Sequence, residues 1–115
     1  MSLVDHSASD LARMIAARQV APSEVMADHL ARIASVNGAV NAVISLRDPD
    51  DLMREARVAD DAPNRGWLHG MPVAVKDLLA TKGLRTTYGS PLFADYVPEA
   101  DDLVVARMRA AGAIF

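Results

Sequence analysis

Residues 67–77 read Trp-Leu-His-Gly-Met-Pro-Val-Ala-Val-Lys-Asp, and this stretch decides how the chain is organised. Val73, Ala74 and Val75 form a short apolar run, with Gly70 and Pro72 marking its entry, so residues 72–76 read as a strand. The run ends on Lys76. A lysine is rarely buried unless it is paired or put to use, and burial disfavours the charged form of an amine. Two readings fit the local pattern. Lys76 is a proton acceptor held at the end of an interior strand, or the strand ends there and the amine points into water. The neighbouring Asp77 should face the opposite side of the strand and bond to backbone or to threonine side chains.

Working outward, helices and short apolar segments alternate. Ser7 followed by Asp10 resembles a capping box and opens a helix over about 9–18, with Leu11, Met14 and Ile15 as its apolar stripe. Pro22 sits at the first turn of a second helix over 22–36, with Glu24 near its positive end. Leu30 and Ile33 extend its stripe, and Asn37-Gly38 should end it. Ala42 to Leu46 reads as a first strand. Asp48-Pro49-Asp50-Asp51 then caps and opens a third helix, 49–60, carried by Leu52, Met53, Ala56 and Val58. Those aspartates lack the glycine and closing glutamate of a calcium loop. A polar loop from Asp61 to Gly66 leads to Trp67, expected to be partly buried. Beyond the central strand, residues 80–98 form an irregular stretch of the kind that is often functional. A fourth helix over 102–111 ends at Gly112, and residues 113–115 start a further strand. The expected fold class is α/β, a mixed sheet covered by helices.

Composition narrows the function. Hydrophobic residues make up 51% of the 115, enough for a core, but aromatics are only 4%, so small aliphatic side chains must do the packing. No apolar run approaches the roughly 20 residues of a membrane span, and no signal peptide is visible. Zero cysteines exclude disulfides and a thiol nucleophile; together with the preceding points this suggests a cytoplasmic protein. A net charge of −3, with lysines and arginines spread singly, argues against nucleic acid as a partner. His6, His29 and His69 are too scattered to suggest a metal site.

Three blocks carry a family resemblance. Leu68 to Asp77 resembles the "LHGIPVAVKD" block of the amidase-signature family. Thr86-Thr87-Tyr88-Gly89-Ser90 is similar to the "TTxGS" that follows it there, and Asp102 to Phe115 resembles "D-x-x-VVxRLRxAGAII". The blocks occur in the family's order and spacing. The resemblance implies an amidase that hydrolyses a carboxylic amide to acid and ammonia or amine. Its catalytic centre would be a Ser–Ser–Lys triad, with Lys76 at the position of the base and no cofactor. The partner it implies is a small amide substrate. The alternatives are the A subunit of a glutaminase-type amidotransferase and a non-catalytic fragment.

In the family pattern both serines follow the "AGAI" strand. Here the seven serines are dispersed, with no Ser-Ser pair and no G-x-S-x-G elbow. Ser90, after Gly89, reads as a turn residue, and His69 as a structural histidine. The 115 residues are therefore expected to be the N-terminal part of one catalytic domain, carrying the base without the nucleophile and inactive alone. Its unpaired sheet edges would favour self-association into a homo-oligomer.

Overall fold

The computed structural model describes all 115 residues. Four helices dominate: α1 (Ala8–Ala16), α2 (Pro22–Val40), α3 (Pro49–Asp61) and α4 (Leu103–Ala110). Short 3-10 turns cover Leu3–Asp5 and Pro91–Phe93.

Local signals account for the helix starts. The Ser7 hydroxyl accepts the amide of Asp10 at 3.1 Å. Glu24 reaches back to the Ala21 amide at 2.8 Å, with Pro22 occupying the first turn of α2. Asp48 caps α3 by accepting the Asp50 amide at 2.8 Å. Each bond satisfies a donor that the helix leaves orphaned.

The end of α2 departs from the sequence reading. Gly38 lies inside the helix, which runs to Val40 and closes at Asn41 in a left-handed conformation, φ 51°. An interior glycine costs a helix only about 1 kcal/mol. Asn37 offsets it, since its side chain donates to the Val43 carbonyl and accepts the Val43 amide, both at 2.9 Å.

The expected mixed sheet is absent. The chain has no strand, only two isolated bridges, a parallel one between Pro72 and Ile114 and an antiparallel one between Thr81 and Leu84. Residues 72–76 and 113–115 are extended and meet in register: Gly70 N donates to Gly112 O, Ile114 N to Met71 O and Val73 N to Ile114 O, each at 2.9 Å. Residues 42–46 have no backbone partner of this kind. An apolar run reports an extended, partly covered segment, whereas a strand also needs a neighbour to bond with. The chain supplies one neighbour for one run, so the α/β reading gives way to four helices around extended connections.

The core is two small clusters. Leu11, Ile15, Val20, Val25 and Met71 pack α1 and the start of α2 onto the segment before Lys76. Met26, Leu52, Ala56 and Ile114 pack α2 and α3 onto the extended segment after α4. Ser23 ties the same helices together, giving its amide and hydroxyl to Asp60 at 2.9 and 2.6 Å. Val58, assigned to the stripe of α3, is exposed, and so is Trp67, which leaves the turn at Gly66 (φ 121°) pointing outward at 70% exposure. No helix is long and apolar enough to cross a membrane.

The segment 80–102 is folded back on itself, with the 3-10 turn at Pro91–Phe93 and the Thr81–Leu84 bridge as its only regular structure. Ala80 and Asp102 exchange two 2.8 Å bonds, Gly83 N donates to Pro98 O, and Thr86 N to Tyr96 O. Asp101 anchors its base, accepting Arg109 Nε at 2.7 Å, Arg109 Nη2 at 2.9 Å and the Lys82 amide at 2.7 Å. The bonds from Arg109 bring the Asp101 carboxyl down to about 2. A carboxyl more acidic in the folded chain stabilises it above the ordinary carboxylate range, and that contribution disappears as pH falls towards about 2. Urea midpoints should therefore drop between about pH 5 and about pH 2.5, and Asp101→Asn should lower the midpoint at about pH 5 while flattening that drop. The effect is modest because the Arg109 side chain is 41% exposed and screened by water. An unchanged pH dependence in Asp101→Asn would remove this anchor from the account.

Candidate active site

Lys76 stands at the end of the extended run, with its side chain exposed. Upstream, Val73 is pinned to Ile114; downstream, the Lys76 carbonyl accepts the amide of Leu79 at 3.0 Å and closes a turn. Lys76 and Asp77 are among the residues lining a cavity of about 560 Å³ between α2, residues 42–47 and the two extended segments. Its lining is mainly apolar, with Leu30, Val43, Leu46, Val73 and Ile114 among the walls. His29 also lines it, and its Nδ1 meets the Val25 carbonyl at 2.8 Å. A carbonyl only accepts, so Nδ1 carries the proton and Nε2 is the free nitrogen.

Asp77 bonds to Thr87, a threonine partner as expected, but it lies in a turn and lines the same cavity as Lys76 rather than facing the opposite side. Its Oδ1 accepts the Thr87 amide at 2.7 Å and its Oδ2 accepts the Thr87 hydroxyl. The Thr87 hydroxyl, followed by the Thr87 amide, holds the carboxyl below its usual range. With both oxygens engaged, Asp77 is an anionic anchor rather than a free acid or base. Ser90 serves a turn: its amide donates to Thr87 O at 2.9 Å and its Oγ accepts the Leu92 amide at 3.3 Å. His69 is buried, its Nε2–H donating to the Ala59 carbonyl at 2.9 Å.

The structure thus brings Lys76, Asp77 and the Thr86–Ser90 turn into one neighbourhood and keeps His69 and Ser90 in structural positions. Two features escaped the sequence. His29 was visible only as an isolated histidine, though its place among Val25, Met26, Leu30 and Ile33 on the covered side of α2 was a usable signal. Tyr88, Phe93 and Tyr96 form a half-exposed aromatic cluster, with ring centroids 5.2 to 6.2 Å apart. Their spacing follows no helical or strand period, so no pattern in the sequence marks them.

The chain is similar to known proteins in sequence and in fold. A profile of the Amidase family matches residues 24–115. The chain is 40% identical over 116 residues to the A subunit of the glutamyl-tRNA(Gln) amidotransferase of Acidothermus cellulolyticus, covering 97% of this chain and 23% of that protein. The protein of the same name from Azoarcus sp. is 41% identical, with the same coverage of 97% and 23%. Among solved structures, the crystal structure of PAM12A superposes with a TM-score of 0.82 at 31% identity, over 94% of this chain and 23% of that one. An amidase family protein from Bacillus anthracis gives 0.77 at 26% identity, over 96% and 23%. The chain therefore spans about a quarter of the length of the relatives it matches.

Proposed function

The chain belongs to the amidase family, and from that premise we propose that it supplies the lysine of a serine–serine–lysine centre hydrolysing a carboxylic amide to acid and ammonia or amine. The observation that supports this reading is the placement of Lys76. The residue lies in the block Leu68–Asp77 with its backbone held on both sides, and it lines a mainly apolar cavity. In this reading the neutral amine takes a proton from one serine hydroxyl while that serine takes one from the nucleophile. The nucleophilic oxygen bonds to the amide carbon, the proton returns through the relay to the leaving nitrogen, and the C–N bond breaks. Water then repeats the cycle on the acyl-enzyme and releases the acid. The serines would come from elsewhere in the full-length protein, and the substrate is a small amide.

A second reading has its own support. The curated relatives at about 40% identity are named as A subunits of a glutamyl-tRNA(Gln) amidotransferase. Under that reading the amide is glutamine and the ammonia is passed on within an assembly.

One experiment separates them. A full-length chain carrying these residues is assayed for ammonia release from acetamide, propionamide, benzamide, an amino-acid amide and L-glutamine. Hydrolysis of simple amides by the purified chain is the expected result. Release from glutamine alone, and only beside added partner proteins, would favour the amidotransferase. No release from any of these amides under either condition would overturn both.

A further inference from the structure

Thr87 is the residue that Asp77 grips with both carboxylate oxygens, and it sits ten positions further along the chain. Its side chain is buried, and its Oγ1 also accepts the Gly89 amide at 3.2 Å. The two residues that follow are both left-handed, Tyr88 at φ 53° and Gly89 at φ 68°. A tyrosine adopts that conformation at a cost and keeps it only where its surroundings over-determine it. The surroundings here are the Asp77 carboxylate on one side and the Thr86 N to Tyr96 O bond on the other. The loop is thereby nailed to the residue beside Lys76.

This matters because a lysine side chain is a long flexible stem, and the direction in which it leaves the backbone is set by the peptides that flank it. The upstream side is fixed by Val73 on Ile114, and the downstream turn by Leu79 on the Lys76 carbonyl. Beyond the turn, Ala80 is held by its two bonds with Asp102. Within the turn, the bond pair between Asp77 and Thr87 ties the residue next to Lys76 sideways to a buried side chain. Resting on the reading of Lys76 as the base, we propose that Asp77 and Thr87 are positioning residues that fix the direction of the Lys76 amine.

The test uses the full-length chain and whichever of the amides named above it turns over fastest. Thr87→Val keeps the size of the side chain and removes the hydroxyl; Thr87→Ser restores the hydroxyl. Asp77→Asn leaves one accepting oxygen for two donors. Thr87→Val and Asp77→Asn should each lower kcat by about 10- to 100-fold, the scale expected for misplacing a catalytic group by about an ångström. KM should stay within about twofold, because binding is untouched. Thr87→Ser should return kcat to within about threefold of the parent, a rescue that a purely structural role would not separate from unfolding.

The proposal is overturned if Thr87→Ser is as damaging as Thr87→Val, if the loss of kcat simply tracks the unfolding midpoint, or if kcat is unchanged. Should Asp77→Asn fail to fold, the Thr87 pair decides the matter. Lys76→Ala in the same assay distinguishes the two levels. If it turns over normally, the reading of Lys76 fails and the positioning role with it. If Lys76→Ala is inactive while Asp77→Asn and Thr87→Val run at full rate, only the positioning role is lost.

Discussion

Lys76→Ala, in a full-length chain carrying these residues, should abolish nearly all amide turnover while leaving the fold and substrate affinity close to those of the parent. A general acid–base group contributes about 10²–10⁴-fold, and groups that act as a unit often more. The exposed Lys76 side chain takes part in no core cluster and no ion pair, so its removal leaves no cavity and no orphaned partner. Lys76→Arg should be almost as damaging, because a guanidinium stays protonated and cannot accept a proton. The comparison of kcat and KM with the unfolding midpoint checks both. Arginine retaining a tenth of the parent kcat would show that charge at this position matters and proton transfer through it does not.

A large effect on stability is expected at Gly112. It holds φ 99°, and an added Cβ would lie 2.7 Å from the Cα of His69, a backbone atom with nowhere to go. Gly112→Ala therefore combines an unfavourable backbone conformation with a collision, and should cost at least about 2–4 kcal/mol. It strikes where Gly70 N donates to Gly112 O, the first bond of the pairing that carries Lys76. The same substitution at Gly38, inside α2 with nothing within 4 Å, should have the opposite sign and stabilise by about 0.5–1 kcal/mol. Urea unfolding of the two variants side by side reads the difference. A Gly112→Ala midpoint within error of the parent would mean that the crossing of the two segments is looser than described.

The helices were legible in the sequence because their determinants are local. Ser7, Pro22 with Glu24, and Asp48 with Pro49 each lie within one turn of the helix they start. The end of α2 was misread because its stop is made by a side chain reaching six residues forward, from Asn37 to Val43, and not by the adjacent glycine. The sheet was misread for a different reason. Val73 to Val75 carries a strand's composition, yet composition says nothing of whether a second and third segment lie alongside. Within the candidate site, a threonine partner for Asp77 was expected from the sequence, but strand alternation does not place it, because Asp77 lies in a turn and lines the same cavity as Lys76. That Thr87 would be its partner, and that Tyr88 would be left-handed, depended on how the irregular segment beyond Asp77 folds back, which is a matter of tertiary contact.

The pairing of residues 70–73 with 112–114 also sets a schedule. While the chain is being synthesised, the segment leading into Lys76 emerges well before the extended segment it bonds with. At ~5–20 residues per second, a separation of about 40 residues is an interval of about 2–8 s, long compared with the formation of α1, α2 and α3. Through that interval Met71 can already rest on Leu11, Ile15 and Val25, since all of these precede it. Ile114, by contrast, arrives later and joins Met26, Leu52 and Ala56. The first cluster can thus form early and hold the Lys76 segment by a side chain alone, and its backbone is locked only when residues 112–114 leave the ribosome. A nascent chain stalled between these two points would show Met71 protected while the amides of Gly70 and Val73 still exchange.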